Sequence, residues 1–237
     1  MIEIAATCGI GGTAERGLES VVIDGWMSNA SDGRQLVVET TANFANIAIV
    51  RGLPSVPGSG RAATYVAGQL ALEADVLFSD DQIGRLLAEV NDRLFTEMSY
   101  SSAWHGIAAQ MTSLTVTPDQ VIIYGVGDFV ALEMLSGILV DRPAAERASA
   151  SNHFGGISDS LGRPWKWSDR REGPQRFLLT SLRLGVEISR DEVEKIMRSA
   201  PSAADCSERI RALASSEGLE ESRSMIVIAM GDHESTP

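Results

Sequence analysis

Short apolar runs separated by turn-forming residues dominate the chain. Nine of them are rich in β-branched residues and predict strands: Ile2–Thr7, Ser20–Ile23, Leu36–Thr41, Asn46–Val50, Met111–Val116, Val121–Val126, Phe129–Met134, Arg176–Ser181 and Met225–Met230. Thr117-Pro118-Asp119-Gln120 puts Pro at the second position of a tight turn between two of them, which predicts antiparallel neighbours. A period of 3.6 appears elsewhere. Ser59 to Ala74 is rich in Ala and Leu, and Asp81 to Met98 carries Ile83, Leu86, Leu87, Val90 and Leu94 on one face. Ser189 with Glu192 forms a capping box that opens a helix through Met197, and Ser202 with Asp205 opens another that Gly218 closes.

Helices therefore do not alternate with strands. Two come together in the first half and two near the end, with runs of strands between. This order favours stacked, largely antiparallel sheets covered by paired helices over a doubly wound parallel sheet. The chain reads as one domain over 1–237. Residues 142 to 175 break the periodicity and are expected to form an irregular insert or lid, and residues 231 to 237 a frayed tail.

The order of local motifs adds a resemblance. Ala48-Ile49-Val50-Arg51-Gly52-Leu53, followed by a Gly-rich turn and Gly60-Arg61-Ala62-Ala63, resembles the strand–DGxGG–turn–GxxAS segment of the PPM (type 2C) Ser/Thr protein phosphatases. Gly106 to Leu114 is similar to the family's GxGTT strand entry, and Tyr124-Gly125-Val126-Gly127-Asp128 to its VGDSR hairpin. Ser160-Leu161-Gly162 resembles its aLG element, and Phe177 to Ser181 the strand leading into SDGL. The resemblance runs from about Gly12 to Met230. It implies an α+β, four-layer αββα sandwich of two antiparallel sheets flanked by helix pairs, with two Mn²⁺ or Mg²⁺ ions at one edge. Hard divalent cations take oxygen ligands, and two of them activate a shared water against a phosphoryl group.

Most of the acids that such a site needs are replaced. The NED motif falls on Leu18-Glu19-Ser20, so its metal-binding Asp is Ser20. The bridging Asp of DG is Arg51, followed by the matching Gly52. The Asp of SDGL is Leu182, and an acid remains only in the last motif, as Glu221. The phosphate-gripping Arg corresponds to Glu15, with Arg16 displaced by one position. A guanidinium is permanently charged and cannot ligate a divalent cation. The expectation is a catalytically inactive pseudophosphatase without a metal cofactor, serving as a protein-binding or regulatory module. The alternative is an active, Mn- or Mg-dependent Ser/Thr phosphatase with a displaced site, for which Asp24, Asp128 and Asp141 are the acids at hand. Arg51 either pairs with Glu221 or faces water.

Charge narrows the partners. With 20 basic against 32 acidic residues, the net charge of −12 disfavours nucleic acid and anionic membranes. No apolar run approaches the roughly 20 residues of a bilayer span. The acid in Met1-Ile2-Glu3-Ile4 differs from a basic secretory leader, and a cytoplasmic location is expected. The expected partner is a protein, such as a phosphoprotein or kinase. Trp165 and Trp167, with Arg170 and Arg171 beside them, either form its contact surface or pin a long loop to the body. Cys8 and Cys206 lack metal-site spacing and read as buried thiols; His105 and His153 carry no nucleophile motif around them.

Overall fold

The computed structural model of the protein describes residues 1–10, 18–29, 34–40, 42–74, 80–142, 152–156, 161–162, 164–171, 173–219 and 223–231. Thirteen strands and four α-helices follow along them. The strands are β1 (Ile2–Ile10), β2 (Glu19–Ile23), β3 (Trp26–Ser28), β4 (Gln35–Thr40), β5 (Ala45–Gly52), β6 (Ala108–Val116), β7 (Gln120–Val126), β8 (Val130–Leu135), β9 (Ile138–Arg142), β10 (Phe154–Gly155), β11 (Trp165–Arg170), β12 (Gln175–Thr180) and β13 (Arg223–Met230). The helices are α1 (Ser59–Leu72), α2 (Asp80–Tyr100), α3 (Arg190–Ser199) and α4 (Ala203–Ser216).

Among the described residues all strand pairing is antiparallel apart from one isolated bridge, Leu184 to Ile188. One sheet runs β4-β1-β13-β12-β8-β9; the other runs β11-β7-β6-β5-β2-β3, with β10 beside β6. Three apolar layers result. Val22, Ala48, Val50, Met111 and Ile122 pack against α1 and α2. Val21, Ile23, Ile47, Ile49, Ile226 and Ile228 fill the space between the sheets. Ala5, Leu178, Met225 and Val227 pack against α3 and α4. Alternate side chains of one strand thus enter different layers. Because both faces of each sheet are covered, the central strands are apolar without interruption, not alternating. This is the expected four-layer αββα sandwich.

Local chemistry behaves as its residues dictate. The Ser189 hydroxyl accepts from Glu192 N at the start of α3, and Ser202 does the same from Asp205 N at 3.0 Å for α4. Gly218 follows α4 with a φ of +68°. The N-cap of α1 is Gly58, in the left-handed region and without a side-chain cap. Ser59 is instead the first residue of the helix, and its hydroxyl accepts from Ala108 N. Residues 142–175, expected to be irregular, contain β10 and β11. Trp165 and Trp167 alternate with Lys166 and Ser168, a period of two that places β11 against β7.

Candidate functional site

At one end of the sandwich, the last residues of β1, β5 and β12 meet the first residues of β2 and β13. Register brings Glu19 opposite Arg51 across β2 and β5. The strand period fixes which side chains share a face. Glu19 alternates with Val21 and Ile23, and Arg51 with Ile47 and Ile49, so both point between the sheets. Ser20 and Gly52 alternate with Val22 and Val50, on the side of α1.

Arg51 Nε lies 3.2 Å from Glu19 Oε1, with side-chain exposures of 15% and 1%. The second carboxylate oxygen of Glu19 accepts from Ser181 Oγ at 3.0 Å, across to the other sheet. Ser224 N donates to Ser181 Oγ, and Ser181 N to Ser224 O. Cys8 Sγ lies 3.3 Å from Ser224 Oγ. Burial pushes the Glu19 carboxyl up, against the opposing pull of Arg51, the Ser224 and Ser181 hydroxyls and Arg223, and burial prevails.

A second Arg–Glu pair stands beside the first. Arg223 is fully buried, and its Nε donates to Glu187 Oε2 at 2.9 Å, with a further bond from Nη2 to Oε1. Arg183 closes on the same carboxylate through Nε at 2.9 Å and through its backbone N–H. Burial alone would raise the Glu187 carboxyl, but the bonds from Arg223 and Arg183 outweigh it and hold the group down to about 2.

The sequence-derived positions separate accordingly. Ser20 is buried, and its hydroxyl has no hydrogen-bond partner among the described residues. Gly52 is required by packing: a Cβ there would lie 2.4 Å from the backbone C and O of Ser59, at the start of α1. Leu182 is fully buried in the layer beneath α3 and α4. Glu221, together with Glu15 and Arg16, lies outside the described residues; among the described residues Arg51 pairs with Glu19. Glu19 was not singled out in the sequence as functional. Its signal was the period of two in β2, which turns position 19 and not position 20 toward the cleft.

The acids of the displaced-site alternative do not converge. Asp24 lies at the opposite end of β2 and accepts from Asn46 N. Asp141 pairs with Arg190 at 2.7 Å, and Asp128 is exposed beyond β7. Among the described residues, no three His, Cys, Asp or Glu side chains gather to hold a metal. A guanidinium, a buried leucine and a serine facing the helix layer are a poor donor set for a hard divalent cation, so the described residues do not fit the metal pair that the resemblance implies.

Trp165 is buried over Gly125, where any Cβ would collide with the indole, and Nε1 donates to Gly127 O at 3.3 Å. Trp167 is half-buried against Phe177, with Arg142 over its ring at 5.0 Å. Of the two readings of this pair, the burial fits pinning. Arg170 is exposed, while Arg171 donates to the carbonyls of Asn43 and Thr117. His105 is exposed after the short 3-10 turn, and His153 packs against Gly156. Both cysteines are buried and unpaired with each other, and burial pushes the Cys206 thiol up to about 12.

Comparison with solved structures decides the fold. Over 97% of its length the chain is similar to a bacterial serine phosphatase, at 15% identity with a TM-score of 0.76 and 98% of that protein covered. The fold is that of the PPM phosphatases. The serine/threonine phosphatase Stp1 from Staphylococcus aureus matches 98% of the chain over 96% of its own, at 14% identity and a TM-score of 0.76. The serine/threonine phosphatase PstP of Mycobacterium tuberculosis matches 98% over 100%, at 15% identity and a TM-score of 0.72. A PstP catalytic domain in complex with two manganese ions superposes with a TM-score of 0.71 at 13% identity. No family model and no curated protein matches the sequence. The likeness to PPM phosphatases is therefore one of backbone. Among the described residues, no helix is long and apolar enough to cross a membrane.

Proposed function

We propose that this chain is a PPM-type pseudophosphatase, a protein-binding or regulatory module in which a buried ion pair replaces metal-dependent catalysis. The observation that carries the reading is the Arg51 guanidinium 3.2 Å from Glu19, in the cleft between the sheets. A permanent cation there takes the position where the resemblance expects a bridging carboxylate and offsets the charge of Glu19, which faces it. Leu182 supports the reading, since an apolar side chain occupies the third ligand position. The partner is a protein, such as a phosphoprotein or a kinase. The exposed side chains of Lys166 and Arg170 on β11 are the part of the proposed contact surface open to it. Two buried, reduced thiols suit a cytoplasmic setting.

The test is hydrolysis of an aryl phosphate across a Mn²⁺ and Mg²⁺ titration, with folding checked by circular dichroism. No turnover above the protein-free rate is expected at any metal concentration. Metal-dependent turnover by the native chain would overturn the reading. The triple variant Ser20→Asp, Arg51→Asp, Leu182→Asp serves as a companion, to show whether carboxylates alone restore metal binding.

A further inference from the structure

Each sheet has two edge strands, and an uncovered edge is a template for pairing with another chain. Three of the four are blunted. β9 is closed by α3: Leu139 N donates to Glu194 Oε2 at 3.0 Å, and Arg190 Nη2 donates to Leu139 O at 2.8 Å. β11 exposes Lys166, Asp169 and Arg170, and β3 has only three residues. β4 differs. It has six residues, Gln35-Leu36-Val37-Val38-Glu39-Thr40, with a single charge, and Val37 is 41% exposed. Its pairing to β1 leaves its other side without a strand partner among the described residues.

We infer that β4 is a self-association edge, where a second copy of this chain adds its own β4 antiparallel about a two-fold axis at Val37. The sequence of the strand is self-complementary in that register. Val37 meets Val37 of the second copy, Leu36 meets Val38, and Gln35 meets Glu39, so no like charges face each other. The faces agree as well. Leu36 and Val38 already pack against the inter-sheet layer and would extend it across the axis. Val37 lies opposite Ala5, on the α4 side, where Gln35 bonds Ala204 O. Two six-stranded sheets would join into one of twelve, an isologous contact that closes after two copies.

Sedimentation equilibrium of the intact chain tests this. The mass should rise with concentration from 25.3 kDa toward twice that value. Val37→Lys puts two ammonium groups on the axis and should weaken association by at least about tenfold. Leu72→Lys, at a site on α1 that is 80% exposed, should leave it unchanged. A second measurement reads geometry. Paired antiparallel residues lie about 4.5–5.5 Å apart at Cα, within disulfide reach. Mild oxidation should therefore link Val37→Cys into a covalent dimer far faster than Leu72→Cys, with the buried native thiols as silent background. A monomer at every concentration overturns the inference. So does a dimer that Val37→Lys leaves intact, or equal cross-linking at the two sites.

Discussion

Removing Arg51 should cost more than the Arg51–Glu19 pair contributes. At 3.2 Å and an effective dielectric of about 20, two unit charges attract by about 5 kcal/mol. Taking both out of water costs several kcal/mol each, so the intact pair comes close to break-even. Arg51→Ala removes the attraction but leaves Glu19 in place, with 1% side-chain exposure, the Ser181 and Ser224 hydroxyls and the weaker pull of Arg223. A loss of about 3–5 kcal/mol follows. Glu19→Gln leaves Arg51 facing a neutral amide and should cost about 2 kcal/mol. The double variant should be more stable than the sum predicts, with a coupling of at least about 1 kcal/mol. Urea unfolding followed by tryptophan fluorescence measures all four corners. The pH dependence supplies a second check. Glu19 is raised above its ordinary 4.5 in the folded state, so between the two values the folded chain binds more protons than the unfolded one. Stability therefore falls as pH rises through that window, and Arg51→Ala should steepen the fall, with a smaller deficit at pH 5 than at pH 8. Additivity within about 0.5 kcal/mol, or a deficit independent of pH, would falsify the coupling.

Two further outcomes are expected. Gly52→Ala forces a Cβ against the backbone of Ser59 and should lower stability by about 3 kcal/mol or more, seen as a fall in Tm; an unchanged Tm would remove the packing explanation for this glycine. Glu187, held near 2 against an ordinary 4.5, contributes stability that is present above pH 4.5 and lost as pH falls toward 2, about 1–2 kcal/mol after solvent screening. Glu187→Gln should flatten that acid limb in urea titrations at pH 5 and pH 2.5, while lowering stability at neutral pH because Arg223 loses the carboxylate that accepts its two hydrogen bonds.

Much of the architecture was legible because it is local. All nine apolar runs became strands, as β-branched segments covered on both faces must, and the Ser189 and Ser202 caps opened the helices they announced. Element order alone was enough to separate a four-layer sandwich from a doubly wound sheet. β11 was missed because its charged outer positions mask its alternation, a cost that edge strands incur in avoiding aggregation. The site was only half legible. The residues at positions 51 and 182 were visible in the sequence, but the Arg51–Glu19 contact was not. Glu19 and Arg51 are 32 residues apart, and they meet because β2 and β5 pair in one particular register. That register is set by which side chains fill the layers on either side of the sheet, and a slip of one residue would turn Ser20 into the cleft and Glu19 into the helix layer. Residue types thus determined which side chains stand at positions 20, 51 and 182, while strand register decided that Arg51 faces Glu19.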